Sequence, residues 1–110
     1  MSPSVNKLLS QYGVIMAAWA RKSPAKMKHA CAVLDRQERP ICFGYNRGWI
    51  HAEEDAVLKY NRAYRPRGRE AHSLLVIRWT PTKGWGMSKP CESCQTLIDR
   101  YSFRVLYTEG

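Results

Sequence analysis

This sequence of 110 residues is short of acidic side chains and of long apolar runs. It has 9 aspartates and glutamates against 18 lysines and arginines, which gives a formal net charge of +9. No apolar run approaches the roughly 20 residues that a helix needs to span a bilayer, so no membrane partner is expected. The first residues lack the charged, apolar and cleavage regions of a signal peptide. We therefore expect a cytoplasmic protein.

Cysteine is also scarce, with 4 residues in the chain. In a secreted protein, two disulfides could form. In a reducing compartment, Cys91 and Cys94, which are three positions apart, are better interpreted as metal ligands. Cys31 and Cys42 lie inside apolar, strand-like stretches, and we expect them to be small buried hydrophobic residues.

The excess of positive charge favours a partner that carries phosphate, either a nucleotide or a nucleic acid. Arg65, Arg67 and Arg69 concentrate part of this charge in one short segment. Solubility is the simpler explanation for a basic composition, and a solvated helix end would account for these three arginines. Charge alone leaves both readings open.

Apolar periodicity predicts a single α/β domain over residues 1–110. Helices are expected over residues 4–20, over residues 52–64 and from about Pro90. Strands are expected over residues 29–35, 40–45, 73–79 and 103–108. The first two strands should be antiparallel because the connection between them is short. Strands separated by helices of this length indicate a three-layer α/β/α sandwich with a mixed sheet of about four strands.

Two short segments carry the most specific chemistry, His51-Ala52-Glu53 and Pro90-Cys91-Glu92-Ser93-Cys94. Two cysteines at the start of a helix, three residues apart, can both reach one ion. His51 would complete a three-ligand zinc site, one ion per chain. Three protein ligands leave a fourth position open for water, which is typical of a catalytic zinc. Both segments fall at predicted helix N-termini, where the helix dipole favours thiolates.

Glu53 is predicted to be the catalytic residue, since it could take a proton from water at this ion. Residues i and i+2 do not share a face of a regular helix. The arrangement therefore requires His51 to lie at the very start of the helix. The alternative is a redox or structural pair of cysteines with an unrelated surface histidine. His29 and His72 are rival ligands, but no glutamate follows either of them at the same spacing.

From about His29 to its C-terminal end, the chain resembles the cytidine and deoxycytidylate deaminase superfamily. The resemblance rests on Gly44-Tyr45-Asn46, on the two segments above, preceded by Ser88-Lys89, and on Arg104-Val105-Leu106-Tyr107. A His-x-Glu motif followed by Pro-Cys-x-x-Cys is typical of zinc nucleobase deaminases. The compact Ser-Lys-Pro-Cys form is similar to small stand-alone viral and microbial members, and this resemblance implies, as an alternative to a cytoplasmic protein of a cell, a viral protein that acts inside a host cell.

The resemblance implies an α/β/α fold, zinc on His51, Cys91 and Cys94, and proton transfer by Glu53. It further implies contact between Asn46 and the substrate, and substrate binding by the backbone near Ala52 and at the junction of Pro90 and Cys91. Three tryptophans could stack on a base: Trp49, Trp79 and Trp85. Asn46 could instead be an ordinary turn residue, and the tryptophans could be packing residues.

The resulting hypothesis is a zinc-dependent deaminase that converts cytosine to uracil in a nucleotide or in single-stranded nucleic acid. Two alternatives stay open. One is conversion of adenosine to inosine in RNA, because the pocket shape decides which base is attacked. The other is a zinc-stabilised nucleic-acid-binding module without turnover, which would not need Glu53. The superfamily's final strand and helix have no counterpart in this sequence, which leaves a homodimer open.

Overall fold

The computed structural model describes residues 1–110 as three helices and five strands. The helices are α1 (Pro3–Arg21), α2 (Ala52–Lys59) and α3 (Glu92–Tyr101). The strands are β1 (Lys28–Leu34), β2 (Pro40–Tyr45), β3 (Ser73–Thr80), β4 (Gly84–Gly86) and β5 (Arg104–Tyr107). None of the helices combines the length and the apolar character that crossing a membrane requires.

The sheet is mixed, as predicted. β1 pairs antiparallel with β2 on one side and with β3 on the other. Two short strands pair with the other edge of β3. β5 pairs in parallel with the first half of β3, and β4 pairs antiparallel with its last residues. The predicted antiparallel pairing of the first two strands is therefore confirmed.

Helices cover both faces of the sheet, which confirms the three-layer α/β/α prediction. Alternate residues of each strand point to opposite faces, so Ala30 and Ala32 of β1 pack under α1 while Cys31 and Val33 pack under α2 and α3. The near-continuous apolar character of β1 and β3 follows from this burial on both faces.

The prediction of about four strands was one short, because β4 lies in a segment that was interpreted as a loop. Two of the three residues of β4 are glycines, so its sequence carries little strand signal. Tertiary contacts define it instead. The Thr80 hydroxyl donates to the carbonyl oxygen of Gly84 at 2.8 Å, and the rings of Trp79 and Trp85 pack edge to face with centroids 5.0 Å apart.

Two helix boundaries also differ from the prediction. The helix predicted over residues 52–64 is α-helical only to Lys59 and continues as a π-helical turn over Tyr60–Tyr64 and a 3-10 turn over Arg65–Arg67. α3 begins at Glu92, after Cys91 as N-cap, so Pro90 precedes the helix rather than opening it. This shift of two residues makes Cys91 the N-cap, a position whose side chain is not constrained by helical geometry.

Candidate metal centre and cavity

His51 is the N-cap of α2, with an extended backbone (φ −78°, ψ 158°). Its backbone N–H donates to the carboxylate of Glu54 at 3.1 Å, which anchors the start of the helix. Because an N-cap residue lies half outside the helix, its side chain does not follow the helical spacing. The geometric requirement derived from the sequence, that His51 lie at the very start of the helix, is therefore met.

The two cysteines converge through the same kind of helix start. Cys91 is the N-cap of α3 and Cys94 is its third helical residue. Side chains at these two positions face each other, as they do in a capping box. Cys91 is exposed, whereas Cys94 is 1% exposed. The pair therefore presents one sulfur to solvent and one to the interior.

The ligand atoms of His51, Cys91 and Cys94 all lie within 4.8 Å of one another. Nδ1 of His51 is 3.1 Å from Sγ of Cys94 and 3.6 Å from Sγ of Cys91. A tetrahedral zinc with ordinary bond lengths separates a nitrogen and a sulfur ligand by about 3.5 Å and two sulfurs by about 3.8 Å. The donor set and its spacing thus fit a zinc ion held by these three residues.

The two thiols differ in acidity. A hydrogen bond with the Ser93 hydroxyl lowers the pKa of Cys91 to about 7. Burial, and secondarily the nearby Glu53 carboxyl, raises the pKa of Cys94. A metal takes cysteine as thiolate, so binding here would release the proton of Cys94.

Glu53 is buried, at 6% exposure, although it lies in the first turn of a helix. Burial raises the pKa of its carboxyl, partly offset by hydrogen bonds from its own backbone N–H and from the Cys94 thiol. A carboxyl so placed is in contact with one predicted ligand and held out of bulk water. Its raised pKa brings it closer to neutrality, where a group can both accept and return a proton.

A cavity of about 500 Å³ opens at this point, lined by Ala25, Lys26, Met27, His29, Asn46, His51, Ala52, Glu53, Ser88, Lys89 and Cys91. Glu53 is its single carboxylate, and Lys26 and Lys89 are its cationic side chains. The cavity is therefore positively charged around one buried acid. Several sequence-predicted site residues meet here: His51, Glu53, Cys91, Asn46 and Ala52.

Asn46 faces the cavity with its amide already engaged. The side-chain oxygen accepts from the backbone N–H of His29 at 2.8 Å, and the side-chain nitrogen donates to the carbonyl oxygen of Met27 at 2.7 Å. These bonds fix the position of Asn46 and leave one N–H free. Ala52 also lines the cavity, whereas Pro90 is buried and does not.

The three tryptophans predicted to stack on a base lie in different places. Trp79 and Trp85 pack on the α1 side of the sheet, with the Trp85 ring against Gly13 of that helix. The metal centre lies on the opposite face, so the structure does not bring these two rings into the cavity. Trp49 lies in the loop directly before His51 and is 98% exposed.

Neither rival histidine lies near the two cysteine sulfurs. The cluster that could hold a metal consists of His51, Cys91 and Cys94, so His51 is its single histidine. His29 lines the cavity, and burial followed by the charge of Arg78 lowers its pKa. His72 is exposed and lies before β3. Cys31 and Cys42 are 0% and 6% exposed, which confirms that they are buried.

Two residues that position the site were missed. Gly44 of β2 lies under α2, where a Cβ atom would be 2.4 Å from the backbone nitrogen of Ala56. A glycine inside a strand can mark such a close approach. Asp55, which is 1% exposed, accepts from the backbone N–H of Tyr45 and pairs with Arg47 at 2.8 Å and Lys59 at 3.0 Å. It fixes α2 to the segment before His51.

Comparison with solved structures shows the fold. A glutamate-to-glutamine mutant of the cytidine deaminase from Mycobacterium tuberculosis superposes with a TM-score of 0.58 at 16% sequence identity. The match covers 86% of this chain and 79% of that one. No protein-family model matches the sequence, and no curated protein matches it. The chain therefore has a cytidine-deaminase fold at a sequence distance where only the fold is shared with certainty.

Proposed function

We propose that this chain is a zinc-dependent hydrolytic deaminase that converts cytosine to uracil and releases ammonia. The observation that carries the proposal is the contact between the buried carboxyl of Glu53 and the cluster of His51, Cys91 and Cys94, at the wall of a cavity. The cytidine-deaminase fold supports the same reading.

In the proposed reaction, water adds at C4 of the base and the bond between C4 and the amino nitrogen breaks. Zinc, when bound, supplies the Lewis acidity that makes water a nucleophile at neutral pH. Glu53 accepts one proton from the attacking water and passes it to the ring nitrogen. It then accepts the second proton, from the hydroxyl now bonded to C4, and passes it to the amine, which leaves as ammonia while C4 keeps the oxygen as a carbonyl. Asn46 and the backbone at Ala52 orient the base.

The burial of Glu53 supports an enzyme over a binding module. A buried carboxyl is costly unless it has a compensating role, and nothing in the fold uses this one as a structural ion-pair partner. Structural zinc sites also take four protein ligands, whereas three converge here. Deamination of adenine would use the same residues, so the assay below also includes an adenosine-containing RNA.

The substitution Glu53→Gln tests the proposal. It removes the proton-transfer group while keeping the shape of the side chain, so turnover should fall by about 10²- to 10⁴-fold with zinc content and folding unchanged. Glu54→Gln is the matched control, because glutamine can still accept from the backbone N–H of His51.

The assay is mass-spectrometric detection of product from cytidine, deoxycytidylate, a cytosine-containing single strand and an adenosine-containing RNA. Inosine without uracil would move the proposal to adenine. Absence of both products from zinc-loaded wild type, with tight binding of the nucleic acid, would favour the non-catalytic module.

A further inference from the structure

Trp49 differs from every other tryptophan of the chain. Trp19 stacks on Phe43, with ring centroids 5.4 Å apart, and Trp79 and Trp85 pack on each other. Trp49 is 98% exposed and pairs with none of the other aromatic rings. A tryptophan left in water forgoes the burial of 150–250 Å² of surface, which is a large part of what this residue contributes to stability.

This exposure is imposed by an ordered hairpin. The backbone N–H of Arg47 donates to the carbonyl oxygen of Ile50 at 3.0 Å, and that of Ile50 donates to Arg47 at 2.9 Å. Gly48, with φ +55°, allows the tight reversal between them. The Arg47 guanidinium is also held by the buried Asp55 at 2.8 Å. Trp49 is therefore presented to solvent by a fixed support.

The hairpin stands at the rim of the cavity. Asn46 and His51, the residues on either side of it, both line the cavity. Lys26 and Lys89 lie on the same lining, and Glu53 is the single carboxylate there. An aromatic ring outside a cationic cavity matches the chemistry of single-stranded nucleic acid, whose bases stack on aromatic rings while its phosphates bind lysine and arginine.

On the basis of the proposed function, we propose that Trp49 stacks on a base next to the one that enters the cavity, and that the substrate is a single-stranded nucleic acid rather than a free nucleotide. A mononucleotide carries a single base, so with that base in the cavity it offers no second base to this ring. A polymer supplies that base together with the flanking phosphates, which Lys26 and Lys89 bind.

The test compares binding of two probes to the zinc-loaded protein. One is a fluorescein-labelled nine-nucleotide oligothymidylate with a central deoxycytidine, and the other is deoxycytidylate as competitor. The wild type should bind the oligonucleotide far more tightly than deoxycytidylate. Trp49→Ala should weaken oligonucleotide binding by about 5- to 150-fold, the range that stacking of one base on an aromatic ring provides. Trp49→Phe should restore most of the affinity.

Val14→Ala is the matched control, because Val14 is an apolar residue that is 87% exposed on α1 and lies outside the cavity. It should bind as the wild type does. Lys26→Ala and Lys89→Ala should each reduce the dependence of log affinity on log salt by about 0.7, the value for one phosphate contact on a single strand.

Equal oligonucleotide affinities for wild type and Trp49→Ala would overturn the inference, as would deoxycytidylate binding as tightly as the oligonucleotide. Uracil formation is measured separately on the same samples. If either of these binding results is found but uracil is still formed, the inference is wrong and the proposed function stands. Binding that depends on Trp49 without any uracil would instead remove the proposed function and retain the nucleic-acid surface.

Discussion

Nδ1 of His51 lies 3.1 Å from Sγ of Cys94, although 43 positions separate the two residues in the chain. The N-termini of α2 and α3 meet at this point, and the two side chains reach each other from different helices. A contact between an exposed imidazole and a buried thiol adds little to stability, so its presence indicates a function for the pair.

Cys94→Ala is predicted to reduce bound zinc from about one ion per chain to near none, because two remaining ligands do not hold the ion. The measurement is elemental analysis after dialysis. A chelator should also lower the thermal unfolding midpoint of the wild type, because a metal bound to the native state alone stabilises it. It should leave the midpoint of Cys94→Ala unchanged.

Cys42→Ala serves as the control, since Cys42 is buried under α2 and lies outside the cluster. It should keep its zinc. Equal loss of metal from both variants would mean that the ion depends on general stability and would contradict the assignment of the ligands.

Gly44→Ala is predicted to destabilise the fold by about 1–3 kcal/mol, the usual cost of forcing an extra carbon into a packed interior. The new Cβ would lie 2.4 Å from the nitrogen of Ala56 and 2.9 Å from the carbonyl oxygen of Ala52, both of them backbone atoms. α2 would have to move away from β2, and Glu53 with it. Urea denaturation measures the first effect, and deaminase activity at a temperature where the variant is folded measures the second.

Gly68→Ala is the comparison for Gly44→Ala. Nothing lies within 4 Å of a Cβ atom at Gly68, so its cost comes from its left-handed backbone (φ +77°) alone. We expect it to lower stability without lowering the activity of the folded protein. Comparable loss of activity in both variants would show that the close approach at Gly44 has no special bearing on the site.

The two buried cysteines are predicted to resist alkylation at pH 8 in the native protein. Burial raises the pKa of Cys42 to about 11 and raises the pKa of Cys31 well above its ordinary value. At a pH three units below its pKa, about one Cys42 side chain in a thousand is the reactive thiolate. The reactivity of Cys42 should therefore rise about tenfold for each pH unit above 8 and level off only near pH 11.

Peptide mapping after brief treatment with iodoacetamide measures this difference. Cys91 is exposed and should be modified in protein stripped of zinc. Modification of Cys42 at the same rate as Cys91 would contradict the burial seen here, unless unfolding is detected in the same sample.

The residues of the candidate metal centre were predictable because their chemistry depends on spacing along the chain. Cys91 and Cys94 are close for any helix that begins there, and the Pro-Cys-x-x-Cys motif is read directly from the sequence. The pairing with His51 was expected from the combination of the His-x-Glu and Pro-Cys-x-x-Cys motifs. It required the starts of α2 and α3 to meet, which the sequence alone did not establish.

Other features depended on tertiary contacts that the sequence does not encode locally. Glu53, Glu54 and Asp55 are consecutive acids in the first turn of α2, where the helix dipole favours all three. The fold gives each a different environment: Glu53 contacts Cys94, Glu54 binds the backbone of His51, and Asp55 pairs with Arg47. Which acid faces inward is decided by the strand beneath the helix.

The positions of the tryptophans also depend on tertiary contacts. Trp79 lies in β3, where the face on which a side chain lies depends on register, and a shift of one residue would exchange the two faces. The pairing of Trp79 with Lys28 of β1 fixes this register. An aromatic residue near the end of a strand therefore does not reveal from sequence whether it faces the cavity or α1.

Asp55 joins the hairpin before His51 to the body of α2, since its carboxylate holds Arg47 on one side and Lys59 on the other. The loop and the helix are therefore tied together next to the imidazole of His51. Binding linkage is reciprocal: if a ligand on the hairpin strengthens binding of an ion at His51, the ion strengthens binding of that ligand by the same factor.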